Sequence, residues 1–192
     1  MNAIGVLGED DSDCEFVARI MKRVSGKDGL KVAKKGFDGC GNLLREGATF
    51  IKKLRAYGSS MFVVCIDADE NSVESRRSEV NNRVFAAAAM TERDIAGSAI
   101  VVPVQSIEAW ILADTNSLNK AFPKWRLKDV KSPEVLRRPK DELRQASRQH
   151  NGRPLYAPAT HNPVAASNLD IKKVCQRCPS FKAFHDFVLK HI

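Results

Sequence analysis

The sequence predicts an α/β protein: a compact, Rossmann-like, mostly parallel sheet flanked by helices, followed by a basic, mainly helical C-terminal extension. Three observations predict it. Short apolar runs such as Met61-Phe62-Val63-Val64-Cys65-Ile66 are continuous rather than alternating, the mark of strands buried on both faces. Stretches with helical spacing of apolar residues separate those runs, as crossover helices do in a parallel sheet. Beyond about residue 115 the chain turns basic and is punctuated by seven prolines, from Pro123 to Pro179.

The elements follow in order. Asn2 to Gly8 reads as a buried strand closed by glycine. Ser12 is a candidate helix N-cap, with Glu15 three residues later as its capping-box acid. The helix that follows carries Phe16, Val17, Ile20, Met21 and Val24 on one face and stops near Gly26. Lys31 to Lys35 is a short strand, and Gly36 to Gly41 a turn-rich loop. A helix from about Asn42 to Gly58 carries Leu43, Leu44, Phe50, Ile51 and Leu54. Met61 to Ile66 is the clearest strand. Ser72 to Met90 reads as one long helix. Ala99 to Val104 is another buried strand, and Ile107 to Asp114 begins a helix. The prolines cut the remainder into short helices and loops, ending in an amphipathic helix with Phe181, Phe184, Phe187, Val188 and Leu189.

The 192 residues suit one domain organised as an α/β core over 1–115 with an extension over 116–192 packed on it. No apolar run approaches the roughly 18 residues of a membrane span. The first residues lack the cationic head of a signal peptide, so a cytoplasmic protein is expected. The odd count of five cysteines then reads as reduced thiols.

The net charge is +8, which argues for a polyanionic partner, nucleic acid before membrane. Between Lys120 and Arg153 stand eleven Lys or Arg against four acids, a surplus of seven that is nearly the whole net charge. The acids are placed differently. Glu9 follows the first strand, Asp67 and Asp69 follow the clearest one, and Glu108 follows the last. The carboxyl ends of parallel strands share one edge, where open α/β sheets place their ligands. Four carboxylates gathered there repel unless cations neutralise them, and hard oxygen donors select Mg²⁺ or Mn²⁺. In Asp67-Ala68-Asp69 the two acids, at i and i+2, point the same way and can grip one ion or bridge two. Glu9, offset from that pair, suits a second metal or a general base. Asp10 and Glu70 are further candidate acids. Asp10, Asp11 and Asp13 also read simply as first-turn acids facing a helix dipole.

Gly5-Val6-Leu7-Gly8-Glu9-Asp10 and Val63-Val64-Cys65-Ile66-Asp67-Ala68-Asp69-Glu70 resemble the TOPRIM (topoisomerase-primase) catalytic domain, whose pattern is a glutamate after the first strand and Asp-x-Asp after a later one. Val102 to Asp114 is similar to a segment of bacterial TOPRIM-like proteins related to the overcoming-lysogenisation-defect nucleases. The resemblance covers roughly the first 115 residues. It implies two Mg²⁺ ions and phosphodiester chemistry on DNA or RNA, with Glu9, Asp67 and Asp69 as catalytic metal-binding residues and Glu108 as an extra ligand. It also implies an anti-phage defence setting with a partner ATPase. Only two tyrosines are present and no Walker loop, so nuclease is the chemistry that remains. A cation should then face the scissile phosphate; Lys34, Lys35, Arg76, Arg77, Arg138 and Lys140 are the candidates.

Other features carry weaker expectations. Gly36 to Asn42 opens a helix, so Gly39, Gly41 and Asn42, with Lys35, Arg138 and Lys140, are candidate phosphate contacts. Cys175-x-x-Cys178 has the spacing of half a zinc site, with His161 or His185 as distant partners, but reads more simply as two reduced thiols. His161 is a further candidate for a phosphate contact. The alternatives to a nuclease are a haloacid-dehalogenase-type phosphohydrolase, a receiver-like domain, and a non-catalytic nucleic-acid-binding subunit.

Overall fold

The structure, a computed structural model, describes residues 3–150 and 152–192. Asn2, expected to open the first strand, lies outside them. Four strands, β1 (Ile4–Gly8), β2 (Val32–Gly36), β3 (Phe62–Cys65) and β4 (Ala99–Val101), form an all-parallel sheet in the order β2-β1-β3-β4. The α/β class read from the apolar runs is therefore the class observed. Every residue of β1 and β3 is buried, whereas β2, on one edge, exposes Lys34 and Lys35.

Helices α1 (Asp11–Ser25) and α2 (Cys40–Ala56) cover opposite faces. The strand pleat sorts the core accordingly. Val6, Val63 and Cys65 face α1 residues Phe16, Val17, Ile20 and Met21; Leu7, Phe62 and Val64 face Leu43, Leu44 and Ile51 of α2. The chain leaves β1 toward β2 on one side and enters β3 on the other, so the topological switch point lies between β1 and β3.

Two local readings are corrected. The N-cap of α1 is Asp10, not Ser12, and its reciprocal partner is Asp13, not Glu15. Asp10 Oδ1 accepts the Asp13 N–H at 3.0 Å, while Glu15 pairs instead with Arg19 and Lys34. A carboxylate caps as well as a hydroxyl, so the helix starts one residue before Ser12 does its bonding. The long helix expected over 72–90 is also interrupted. α3 (Val73–Val80) runs into a π-helical turn at Asn81–Ala86. That wider turn brings Phe85, five residues after Val80, onto the face that buries Val80 and Val84. A short α4 (Glu92–Ala96) follows, capped by Thr91 and Asp94. β4 stops at Val101, two residues before Pro103, which has no N–H for a ladder.

After β4 come α5 (Ile107–Leu112), α6 (Thr115–Ala121), α7 (Pro139–Ala146), α8 (Pro158–Asn168), α9 (Ile171–Arg177) and α10 (Pro179–His191). The last three do not form a separate core. Ala165, Ala166, Phe181 and Phe184 belong to the same buried cluster as α1 and Trp110. Trp110 sits 5.2 Å from the Phe181 ring and 6.2 Å from Phe16, and its indole N–H donates to Ser180 Oγ at 2.7 Å. Trp110→Ala should cost about 3–5 kcal/mol, measured by denaturant unfolding. Among the described residues no helix is long and apolar enough to cross a membrane.

Candidate functional site

The carboxyl ends of β1 and β3 and the segment after β4 meet at a polar cavity of about 340 Å³. Glu9 enters it from the end of β1. Its Oε1 accepts the backbone N–H of Asp67 at 2.9 Å, so the first two acid-bearing strand ends are directly joined. Burial raises the Glu9 pKa, an effect that the Asp67 N–H opposes and the charge of Asp69 reinforces.

Asp67 and Asp13 are the most perturbed acids. Burial, then crowding by Asp13, Glu9, Glu108 and Asp69, pushes the Asp67 carboxyl well above the usual range. Burial, then the charges of Asp10 and Glu108, pushes Asp13 up to about 8. Asp13 is thus more than the first-turn acid that its sequence position suggests. The capping box turns it back toward the sheet, where it is 9% exposed.

Glu108, in the first turn of α5, is only 4% exposed. The Tyr156 hydroxyl donates to its Oε1 at 2.7 Å and also lies 2.7 Å from Asn162 Oδ1. Burial and the neighbouring Glu108 charge hold the Tyr156 proton firmly in place. Tyr156 therefore fixes Glu108 from the C-terminal extension. Tyr156→Phe should cost about 1–3 kcal/mol in stability, because it leaves a buried carboxylate without its donor. Thermal unfolding of the purified variant measures it.

Asp69 differs in kind: it is exposed, with φ of +51°, and Gln105 opposite has φ of +65°. The Asp69 N–H donates to the Gln105 carbonyl at 3.1 Å, joining two left-handed non-glycine residues at the cavity wall. Such strain is costly and concentrates at ligand sites. Ser106 Oγ, also at the cavity wall, is buried with no hydrogen-bond partner among the described residues.

Of the sequence candidates, the cavity gathers Glu9, Asp10, Asp67, Asp69 and Glu108 and adds Asp13 and Asp141. Glu70 is left out. The left-handed turn at Asp69 faces it to solvent, where it pairs with Arg137 at 3.5 Å. Arg137, Arg138 and Lys140 line the same cavity, and Lys140 Nζ lies 3.9 Å from Glu108. Of the remaining cation candidates, Lys34, Lys35 and Arg77 are placed elsewhere, and Arg76 reaches the cavity acids through Asp69. Lys34 pairs with Glu15, and Lys35 lies over the Phe37 ring. Arg77 lines a groove beside β4. Arg76 is drawn between Glu79 at 3.0 Å and Asp69 at 3.5 Å.

The glycine-rich loop is tied to the end of β1. The Gly39 N–H donates to the Glu9 carbonyl at 2.8 Å, and Phe37 N–H reaches the Gly8 and Glu9 carbonyls. Asn42 bonds Asp38 and Arg45. None of Lys35, Gly39, Gly41 and Asn42 lines the cavity. Through the Phe37 and Gly39 amides the loop holds the Glu9 backbone in place. All five cysteines are free thiols. His161 packs against Phe122, Trp125 and Tyr156, outside the cavity.

Among the described residues no group of three or more His, Cys, Asp or Glu side chains is arranged so that it could hold a metal ion by itself. The donor set is all oxygen, and Mg²⁺ commonly takes one or two carboxylates while keeping its waters. Crowded carboxyl groups beside an unpartnered Ser106 hydroxyl are the donor chemistry that such an ion takes. A family model described as a domain of unknown function (DUF4276) matches residues 9–189. No curated protein and no solved structure matches the chain.

Proposed function

The chain belongs to the DUF4276 family, and we propose that it is a Mg²⁺-dependent endonuclease that hydrolyses phosphodiester bonds in DNA or RNA. The observation that carries this reading is the cavity itself, lined both by carboxylates that follow three strands and by Arg137, Arg138 and Lys140. The acids suit cations, and the basic groups suit the phosphate they act on.

Glu9, Asp67 and Asp69 would hold Mg²⁺ or Mn²⁺, one ion or two, with Asp13 and Glu108 beside them. When bound, the metal supplies positive charge to the phosphoryl oxygens and to the attacking water. The protein's own groups orient the reaction. The Asp67 N–H fixes Glu9, and Tyr156 fixes Glu108. Arg138 and Lys140 draw the phosphodiester in and offset charge that grows on it. The basic composition of the extension supports a polyanionic substrate.

The test is cleavage of supercoiled plasmid DNA and of a folded RNA with Mg²⁺, with Mn²⁺ and with EDTA. Hydrolysis that requires the metal and is abolished by Glu9→Gln is the expected result. Absence of cleavage of both polymers, with turnover of small phosphomonoesters, would instead indicate a phosphohydrolase.

A further inference from the structure

A second concave surface lies away from the acidic cavity. Lys124, Arg126, Lys128 and Arg148 line a groove of about 380 Å³ beside α7. It shares Lys124, Arg126 and Arg148 with an adjoining cavity of about 660 Å³, so the two are one continuous depression. All four cations are exposed. Among the described residues none of them makes an ion pair, and Glu142 is the one acid on the wall. Arg148 is steadied by the Gly152 carbonyl at 3.3 Å, within a turn closed by the Arg148–Pro154 bridge.

Unpaired cations concentrated in a depression repel one another, and an anion of matching extent relieves that repulsion. The position of the groove says which anion. Helix α7 begins at the acidic cavity, where Pro139, Lys140 and Asp141 line the wall, and ends at the basic groove, where Gln145 and Ala146 do. Its eight residues span about 12 Å at roughly 1.5 Å each. A strand advancing about 3.4 Å per nucleotide covers that distance in roughly three to four nucleotides.

We propose that Lys124, Arg126, Lys128 and Arg148 form a backbone-binding track that holds the phosphates of a nucleic-acid strand several nucleotides from the bond lying in the acidic cavity. The track deepens the proposed function and rests on its reading of the substrate as a nucleic acid. It reads charge and spacing, not sequence. The neighbouring aromatic rings cannot act as stacking platforms for bases, because Trp125 and Tyr156 are buried.

The test is fluorescence anisotropy of the full chain in EDTA, so that binding is read without cleavage. The probes are labelled single strands of DNA and RNA and a DNA duplex, each of about 30 nucleotides or base pairs, which is long enough to reach both surfaces. Arg126→Glu/Arg148→Glu should weaken binding at least about 10-fold. The milder Arg126→Ala/Arg148→Ala should lower the salt slope by about 1.4 to 1.8, as expected for two lost phosphate contacts. Lys52→Glu/Lys53→Glu makes the same net-charge change on the exposed face of α2 and should shift affinity less than about threefold. The relative affinities for DNA and RNA then identify which polymer the track prefers.

The inference is overturned if the groove variants bind like the wild-type chain, if the α2 control weakens binding equally, or if the wild-type chain binds none of the probes at low salt. Metal-dependent cleavage by wild-type and groove variants alike removes the track and leaves the nuclease reading standing. Groove-dependent binding without cleavage under any metal does the reverse.

Discussion

Asp67→Asn and Glu9→Gln should each reduce metal-dependent hydrolysis by about 10²–10³-fold or more, and neither should lower the melting temperature. The activity loss has the size seen when a group that stabilises transition-state charge is removed. The stability result is what identifies the role. Glu9→Gln removes a carboxylate from the crowd, and Asp67→Asn replaces a carboxyl that burial and its neighbours already hold protonated, so neither substitution adds repulsion among Glu9, Asp13, Asp67 and Glu108. Gln at position 9 retains an oxygen that can accept the Asp67 N–H, so the local fold is kept. Inactive variants that melt at or above the wild-type temperature mark residues retained for chemistry at a cost in stability. A variant that stays fully active would remove its residue from the mechanism. One that loses activity and melts early would assign it a structural role.

The second large effect concerns pH. Asp13 has a folded-state pKa of about 8, far above its ordinary 3.8, and Asp67 is shifted in the same direction. Between those limits the folded state keeps a proton that the unfolded chain has released. Stability is therefore lost as pH rises from about 4 toward 8, by at most about 1.4 kcal/mol per pH unit for each such group. For a chain of this size that is a fall of at most roughly 3–6 °C per pH unit for one group. The metal-free protein should melt lower at pH 8 than at pH 5. Added Mg²⁺ should raise the melting temperature, and more at pH 8, because the ion competes with protons for the same oxygens. Asp13→Asn should flatten the pH dependence. A melting temperature indifferent to both pH and Mg²⁺ would show that the carboxylates are not coupled as the geometry indicates.

What the sequence made legible follows from what local patterns encode. β1 and β3 are readable because a strand buried on both faces has no polar alternation to confuse it, and the acids after them stand out against that background. Burial of Glu108 was not readable, because it depends on Tyr156 and Asn162, some fifty residues away. Asp13 shared its first-turn position with Asp10 and Asp11. Only the direction in which the helix leaves the strand decides which of the three turns inward. Thr91-Glu92-Arg93-Asp94 did carry a capping signal for α4, immediately after the apparent long helix. The π-helical turn has no local signature, because it answers the packing of Phe85 against distant residues.

Helix α1 serves two structures at once. Its first turn places Asp13 among the acids, while further along Arg23 donates to the Ala166 and Leu169 carbonyls and Phe16 packs with Trp110. A chimera that joins the first half of this chain to the last half of a diverged relative would therefore face a mismatch on both sides of one helix. Recombination near residue 115 should rarely leave viable offspring, and the two halves are expected to be inherited together.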